Sequence, residues 1–516
     1  MEMQSVLVKV WVTSLLLGIF TIIIHLFDTL ILKPGRLRSR LQKQGIQSPP
    51  SSMLLGNLRD IKKTRLKASK SLEEGEQVIT HNCSSLVFPY FDKWREQYGS
   101  TFMFALGNTQ ILHISNPDLL KEISISTSLD LGRPSYQQKA LGPLLGQGIV
   151  ASNGALWAHQ RKILAPEFYM ERVKGMVKLM VESSIEIVNL WNSKIDSEGG
   201  VADIKIDDYM RSFSGDVISR ACFGSNYSKG EEIFSKIRAL IDYMPARVLY
   251  LSIPGMRYLP IKINRETWRL EKEIRTLILQ VVKEREEGTS EKDLLQMILE
   301  AAKSSDSGQD AANRFIVDNC KNIYLAGYET SAVTATWTLM LLALYPEWQE
   351  KVREEILDIC RGELPNADVL LRMKTLTMVI NEALRLYPPV SLMTREALED
   401  IKLGNINVPK GVNLWILVVT LHKDPNIWGA EADKFNPERF ANGVTGACKF
   451  PHVYMPFGTG SHTCLGQYFA MAELKILLSL LLSNFSFSLS PRYRHSPAMN
   501  LIMEPQYGVD LLVRKL

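Results

Sequence analysis

The ten residues Phe457-Gly-Thr-Gly-Ser-His-Thr-Cys464-Leu-Gly466 constrain this chain more than any other stretch. They set one cysteine on a glycine-bearing loop, just ahead of an apolar run from Leu465 to Leu482 that predicts a buried helix. Gly458 and Gly460 permit backbone angles and close approaches that a Cβ would forbid. Backbone N–H groups can therefore turn toward the sulfur. The positive end of the following helix then faces Cys464, which predicts a lowered thiol pKa. A lone cysteine is ordinarily an inert, buried apolar residue. Here the loop suits a thiolate offered to a haem iron, a ligation that favours O–O cleavage. Phe457 would shield the sulfur from water, and Gly466 would keep the first helical turn slim beneath a flat macrocycle.

Further along, the pattern of a long buried helix runs from about Ala311 to Tyr345. Gly327 stands near its middle, where glycine costs ~1 kcal/mol against alanine. Such a glycine implies that something lies against the backbone, here dioxygen and the haem face. Thr330 offers a hydroxyl and Glu329 a carboxylate, which together could hold water and pass protons. The bland alternative is a threonine bonded back to a carbonyl and a solvated glutamate. Glu382 and Arg385 share one helix face three residues apart.

These stretches carry a resemblance. The Cys464 loop is similar to the F-x-x-G-x-R-x-C-x-G signature of the cytochrome P450 superfamily at every fixed position but one, where His462 replaces the usual arginine. Trp157-Ala-His-Gln-Arg161 resembles the W-x-x-x-R helix that reaches a haem propionate. Ala326-Gly-Tyr-Glu-Thr330 resembles the oxygen-activation bend. Glu382-Ala-Leu-Arg385 resembles the E-x-x-R pair, and Phe435-Asn-Pro-Glu-Arg-Phe440 the loop that locks onto it through Arg439. With the G-I-x-x-P-P neck from Gly45 and the N-E-A-L-R-L-Y-P-P-V run from Asn381, the pattern resembles plant enzymes that oxidise terpenoid hormones. Within them it is most similar to the gibberellin-oxidising family.

The resemblance covers nearly all the chain beyond its N-terminal segment. It implies a cytochrome P450 fold, mainly α with a smaller β-rich subdomain. It implies haem b (iron protoporphyrin IX), with Cys464 as the axial iron ligand. Phe457, Gly460, His462, Gly466, Trp157, Arg161, Arg395, Ala326 and Gly327 become haem contacts, and Thr330 and Glu329 the proton relay. The implied reaction is a monooxygenation using O2 and electrons from NADPH through NADPH-cytochrome P450 reductase. The implied substrate is an apolar terpenoid, a gibberellin-like diterpenoid acid before a triterpenoid. Two other classes stand beside it. A haem-thiolate isomerase or dehydratase needs no reductase, but it can dispense with the Gly327…Thr330 bend. A non-catalytic haem-binding protein explains the thiolate but not the relay.

His462 is shorter than arginine and titrates near neutrality, so haem affinity is expected to be weaker or more pH-dependent. Glu382, Arg385 and Arg439 are expected to form a buried charged network behind the Cys464 loop. Zinc held by Cys448, His452, His462 and Cys464 is disfavoured, because their spacings match no usual pattern. The substrate pocket is expected around Leu129–Leu145, the central helix before Ala326, and Val390–Thr394. Arg133 and Arg395 are candidate carboxylate partners there, although Arg395 suits a propionate equally and Arg133 could simply be solvated.

A chain of 516 residues with 46% hydrophobic content has ample core, and no low-complexity linker divides it. The domains read as an anchor at 1–32, a basic and proline-containing neck at 33–57, and one catalytic body at 58–516. Val10 to Leu32 is apolar except for His25 and Asp28, long enough to span a bilayer core. Lys33, Arg36, Arg38, Arg40 and Lys43 follow without an acid, a cluster that stays cytoplasmic. The expectation is a single-pass endoplasmic reticulum protein with a cytosolic body. Those five charges equal the whole formal net charge of +5. They suit membrane lipid headgroups, and the balanced remainder offers no field for nucleic acid. Six scattered cysteines argue against a disulfide framework. Residues 62–85 read as a charged surface loop. Thr101–Ile114 reads as a hairpin turning at Gly107-Asn108, and Ile401–Val419 as a second β-rich patch.

Overall fold

The computed structural model describes residues 2–74, 79–224, 227–250, 256–287, 293–303 and 308–516. It is mainly helical, with a small mixed sheet beside the helical mass. The central helix, Gln309–Leu344, is buried along most of its length. At 1.5 Å per residue it spans about 54 Å, so one element carries both the middle and the far wall of the core. Packed along it are the helices Asp207–Phe223, Lys374–Leu386 and Gln467–Asn484. The last of these begins just after Gly466, as the apolar run predicts.

The sheet orders its strands Thr101–Leu106, Thr109–Ile114, Asn413–Leu417, Leu392–Ala397 and Leu131–Gly132. The first two form the expected hairpin. Leu106 faces Thr109 across Gly107-Asn108, and Gly107 takes φ +59°, a backbone angle that favours glycine at such a turn. Its apolar faces make a second, smaller core with Leu41, Met103, Leu112 and Trp428. The β-rich reading of 401–419 also corresponds to strands, Ile401–Leu403, Ile406–Val408 and Asn413–Leu417.

One reading needs correction. Residues 62–85 are not one loop. Leu58–Glu74 is a helix, Cys83–Val87 is another, and 75–78 lie outside the described residues. Lysine, arginine and glutamate are good helix formers, so the charge that suggested a loop suits an exposed helix as well. The basic neck begins as a helix. Helix Glu2–Phe27 continues through a wider turn at Asp28–Leu32 into Lys33–Gln42, and Leu41 is fully buried against the body. Lys9–Gln42 contains an apolar window long enough to cross a membrane, and no residue of that window is buried within the protein.

Candidate active site

The Cys464 loop is tied by its own backbone. The Cys464 N–H donates to the Phe457 carbonyl at 2.8 Å, and the Gly458 N–H to the Met455 carbonyl at 3.0 Å. Gly458 and Gly460 sit at φ +76° and +69°, where a side chain would be strained. The thiol meets a cavity of about 460 Å³, walled on the other side by Ala326, Gly327 and Thr330 of the central helix. Burial pushes the Cys464 thiol up, while the Gly466 N–H and Arg161 pull it down less strongly. The lowered thiol pKa expected from the helix end is therefore corrected. Desolvation outweighs both of these pulls.

At one end of the cavity Arg133, Arg161, Arg395 and His462 come together. Arg161 donates to the Thr463 carbonyl at 2.8 Å, and Arg395 to the Thr394 carbonyl at 2.9 Å. The Arg133 Nε is buried with no partner, so the reading of Arg133 as solvated is overturned. Burial pulls Arg133 down to about 10. Burial, and then the Arg133 charge, pull Arg395 to about 9. His462 stacks on the Trp157 ring at 4.2 Å. It is pulled to about 3, by burial first and then by Arg395, Arg133 and Arg161. None of these three arginines is paired with a carboxylate among the described residues. The site is short of negative charge, and two carboxylates on one flat ligand would supply it. Gly466 fits the same ligand. A Cβ there would meet nothing closer than Phe168 Cδ1 at 4.0 Å, so what it keeps open is the cavity itself.

The central helix is more crowded than its sequence suggests. A Cβ on Gly327 would come within 2.6 Å of Ile218 Cγ1. The group pressing on that glycine is thus a side chain of the neighbouring helix, which also lines the cavity. The Thr330 hydroxyl donates to the Ala326 carbonyl at 2.6 Å, the bond that the bland reading foresees. Its lone pairs remain free to accept. Glu329 is not solvated. Its Oε2 accepts from Arg238 at 3.1 Å and from Arg211 at 3.5 Å, and both arginines also hold Glu504. Its Oε1 is buried without a partner. Burial raises the Glu329 carboxyl against the opposing pull of Arg238 and Arg211. Nothing in the sequence points to Arg211, Arg238, Glu504 or Ile218, because each arrives from a distant segment without a local motif.

Behind the loop, Glu382 and Arg385 are both fully buried. Arg385 makes a two-point contact with the Glu382 carboxylate at 2.7 and 2.8 Å. It also donates to the carbonyls of His422, Ala432 and Lys434. Glu382 accepts the Asn436 N–H at 2.8 Å, and Arg439 Nε lies 3.5 Å away. The three residues thus join the segment 422–439 to the helix Lys374–Leu386.

A thiol set below a cavity that lacks two negative charges is the geometry of a haem-thiolate protein. Comparison with known proteins narrows this class. The family model described as Cytochrome P450 matches residues 78–513. Cytochrome P450 714C2 of Oryza sativa subsp. japonica is 49% identical over 499 residues, covering 95% of each chain. Cytochrome P450 714B3 of Zea mays is 46% identical, across 99% of this chain and 97% of the relative. Cytochrome P450 714A2 of Arabidopsis thaliana is 43% identical, across 96% and 97%. The chain belongs to the cytochrome P450 family, and it is a monooxygenase whose cofactor is haem b.

Proposed function

We propose that the chain is a membrane-anchored oxygenase of the endoplasmic reticulum. Its body is cytosolic, and it inserts one oxygen atom into an apolar terpenoid, a gibberellin-like diterpenoid acid before a triterpenoid. Electrons come from NADPH through NADPH-cytochrome P450 reductase. Cys464 would hold the haem iron through its sulfur, and the haem, when bound, would supply the oxygen chemistry. Arg133, Arg161, Arg395, Trp157 and His462 would hold its propionates, with Phe457, Gly460 and Gly466 shaping the loop around the sulfur. Ala326 and Gly327 line the opposite wall.

The protein's own part in the reaction is to exclude water and to meter protons. Thr330, its hydroxyl proton committed to Ala326, accepts a hydrogen bond from a water in the cavity. Glu329, whose carboxyl burial raises against the pull of Arg238 and Arg211, would pass a proton to that water and take another from solvent, while the two arginines hold its carboxylate in place. Since Arg133 and Arg395 face the propionate end, a substrate acid or hydroxyl would meet Gln137, Gln138 and Thr394 instead.

The observation that carries this reading is the cavity itself. Beside the arginines and amides already named, apolar side chains such as Leu145, Ile149, Ile241 and Leu325 face it, which suits an apolar skeleton in the space the haem would leave. The test has two stages. Reduced protein with carbon monoxide should give the red-displaced Soret band of a thiolate-bound haem. Terpenoid acids should then shift the haem spectrum, and product should form only with both NADPH and reductase. Product made without reductase would overturn the monooxygenase mechanism, and indifference to every terpenoid acid and triterpenoid would overturn the substrate.

A further inference from the structure

Asp318-Asn-Cys-Lys-Asn322 is a polar stretch in an otherwise apolar buried helix, and the chemistry above uses none of it. Asn319 and Asn322 are fully buried. Asn319 donates to the Phe315 carbonyl of its own helix at 3.0 Å; the other partners of the two asparagines lie on one segment, the backbone from Pro143 to Val150. Asn322 makes a two-way contact, accepting the Val150 N–H and donating to the Leu145 carbonyl, each at 2.8 Å. Asn319 accepts the Ile149 N–H at 3.2 Å, and Asp318 the Gln147 N–H at 2.9 Å. Lys321 donates to the Pro143 carbonyl at 3.2 Å. The segment meets this ladder with two glycines. A Cβ on Gly146 would fall 2.1 Å from the Asp318 carboxyl carbon, and one on Gly148 2.6 Å from Asn322 Cγ. Neither approach is open to another residue.

The fastened segment is a wall of the haem cavity. Leu145, Ile149 and Val150 line it, and Asn322 lies one helical turn before Ala326, which anchors Thr330. We propose that Asn322 is a specificity-determining positioning residue. It fastens the 145–150 wall at a set distance from the oxygen-activating turn, so the cavity is preset and selects rigid, bulky apolar skeletons that already fit. Unfastened, that wall would mould itself to many shapes. This rests on the reading of the cavity as a haem pocket, and the two can fail separately.

The probes are imidazole, which needs only the iron and a little space, and ketoconazole, an elongated azole that must displace the wall. Both are titrated against the haem-loaded full-length protein by the shift of the Soret band. Asn322→Ala should change the ratio of the two affinities by tenfold or more in favour of ketoconazole. Amide exchange at Gly148–Val150 should quicken at least tenfold while the centre of the helix stays protected. Asn322→Asp keeps the acceptor for Val150 and loses the donor to Leu145, so it should move both readouts the same way by a smaller factor. It also serves if the alanine variant does not fold. A carbon monoxide band in the parent speaks for the haem pocket alone. With that band present, an affinity ratio within twofold of the parent and unchanged exchange in either variant would overturn the proposal.

Discussion

Glu382 shows how much a single carboxylate can hold. It neutralises Arg385, lies beside Arg439 and caps the Asn436 N–H. Removing it leaves a fully buried guanidinium uncompensated, which costs ~3–5 kcal/mol. Glu382→Ala should therefore yield protein with almost no haem, read from the ratio of Soret to protein absorbance. Normal haem content in that variant would refute the role. Arg133 has a milder effect. Its unpartnered Nε fits a propionate, and a charge-assisted hydrogen bond contributes ~1.5–3 kcal/mol. Arg133→Gln should release haem to apomyoglobin about tenfold faster or more, and an unchanged rate would remove it from the propionate site. At Thr330 the expected loss is catalytic. Alanine there should leave NADPH consumption running while product per NADPH falls ~10-fold or more, with hydrogen peroxide making up the difference. Product formation still tightly coupled to NADPH would dismiss the relay.

Among the elements, the helix Gln467–Asn484 holds an unusual buried acid. Glu473 is fully buried, and neither carboxylate oxygen accepts a well-formed hydrogen bond. Burial pushes it to about 8, with Ser331 and Ser214 pulling the other way. The native chain thus keeps a proton that the unfolded chain loses above about 4.5. Its contribution to stability is complete below that pH and declines as pH rises toward about 8. Glu473→Gln should accordingly be the more stable by about 3 kcal/mol at pH 7, with the advantage closing near pH 4.5, as read from melting temperatures. A pH-independent difference would show that Glu473 does not carry this proton. Elements also divide what the sequence could tell from what it could not. The hairpin at Thr101–Ile114 was legible because alternation and a Gly-Asn turn agree. The Cys464 loop and the Glu382–Arg385 pair were legible because their partners lie within a few residues. Leu58–Glu74 was not, since an exposed helix and a charged loop share one composition. The cage of Arg211, Arg238 and Glu504 around Glu329 was not either, because packing alone brings three segments together.

For the whole molecule, packing predicts where the proposed anchor should end. Removing residues 2–32 should free the protein from membranes and leave its carbon monoxide band intact. Extending the deletion through Gln47 takes away Leu41, which is fully buried, and the Gln47 carbonyl that accepts from Met103. Losing such a core leucine costs ~2–5 kcal/mol, so the longer deletion should melt measurably lower than the shorter one. Equal melting points would place the body's edge further along the chain. Arg40 pairs with Asp400, and Gln44 bonds to Asn407 at two points. The apolar helix therefore reaches the body as a splinted shaft, with no left-handed backbone joint among the described residues before Gly45 at φ +85°. Were the apolar helix held in a bilayer as proposed, a lean of its outer end would pass along this shaft to the catalytic body, and the lipid around it would aim the mouth of the enzyme.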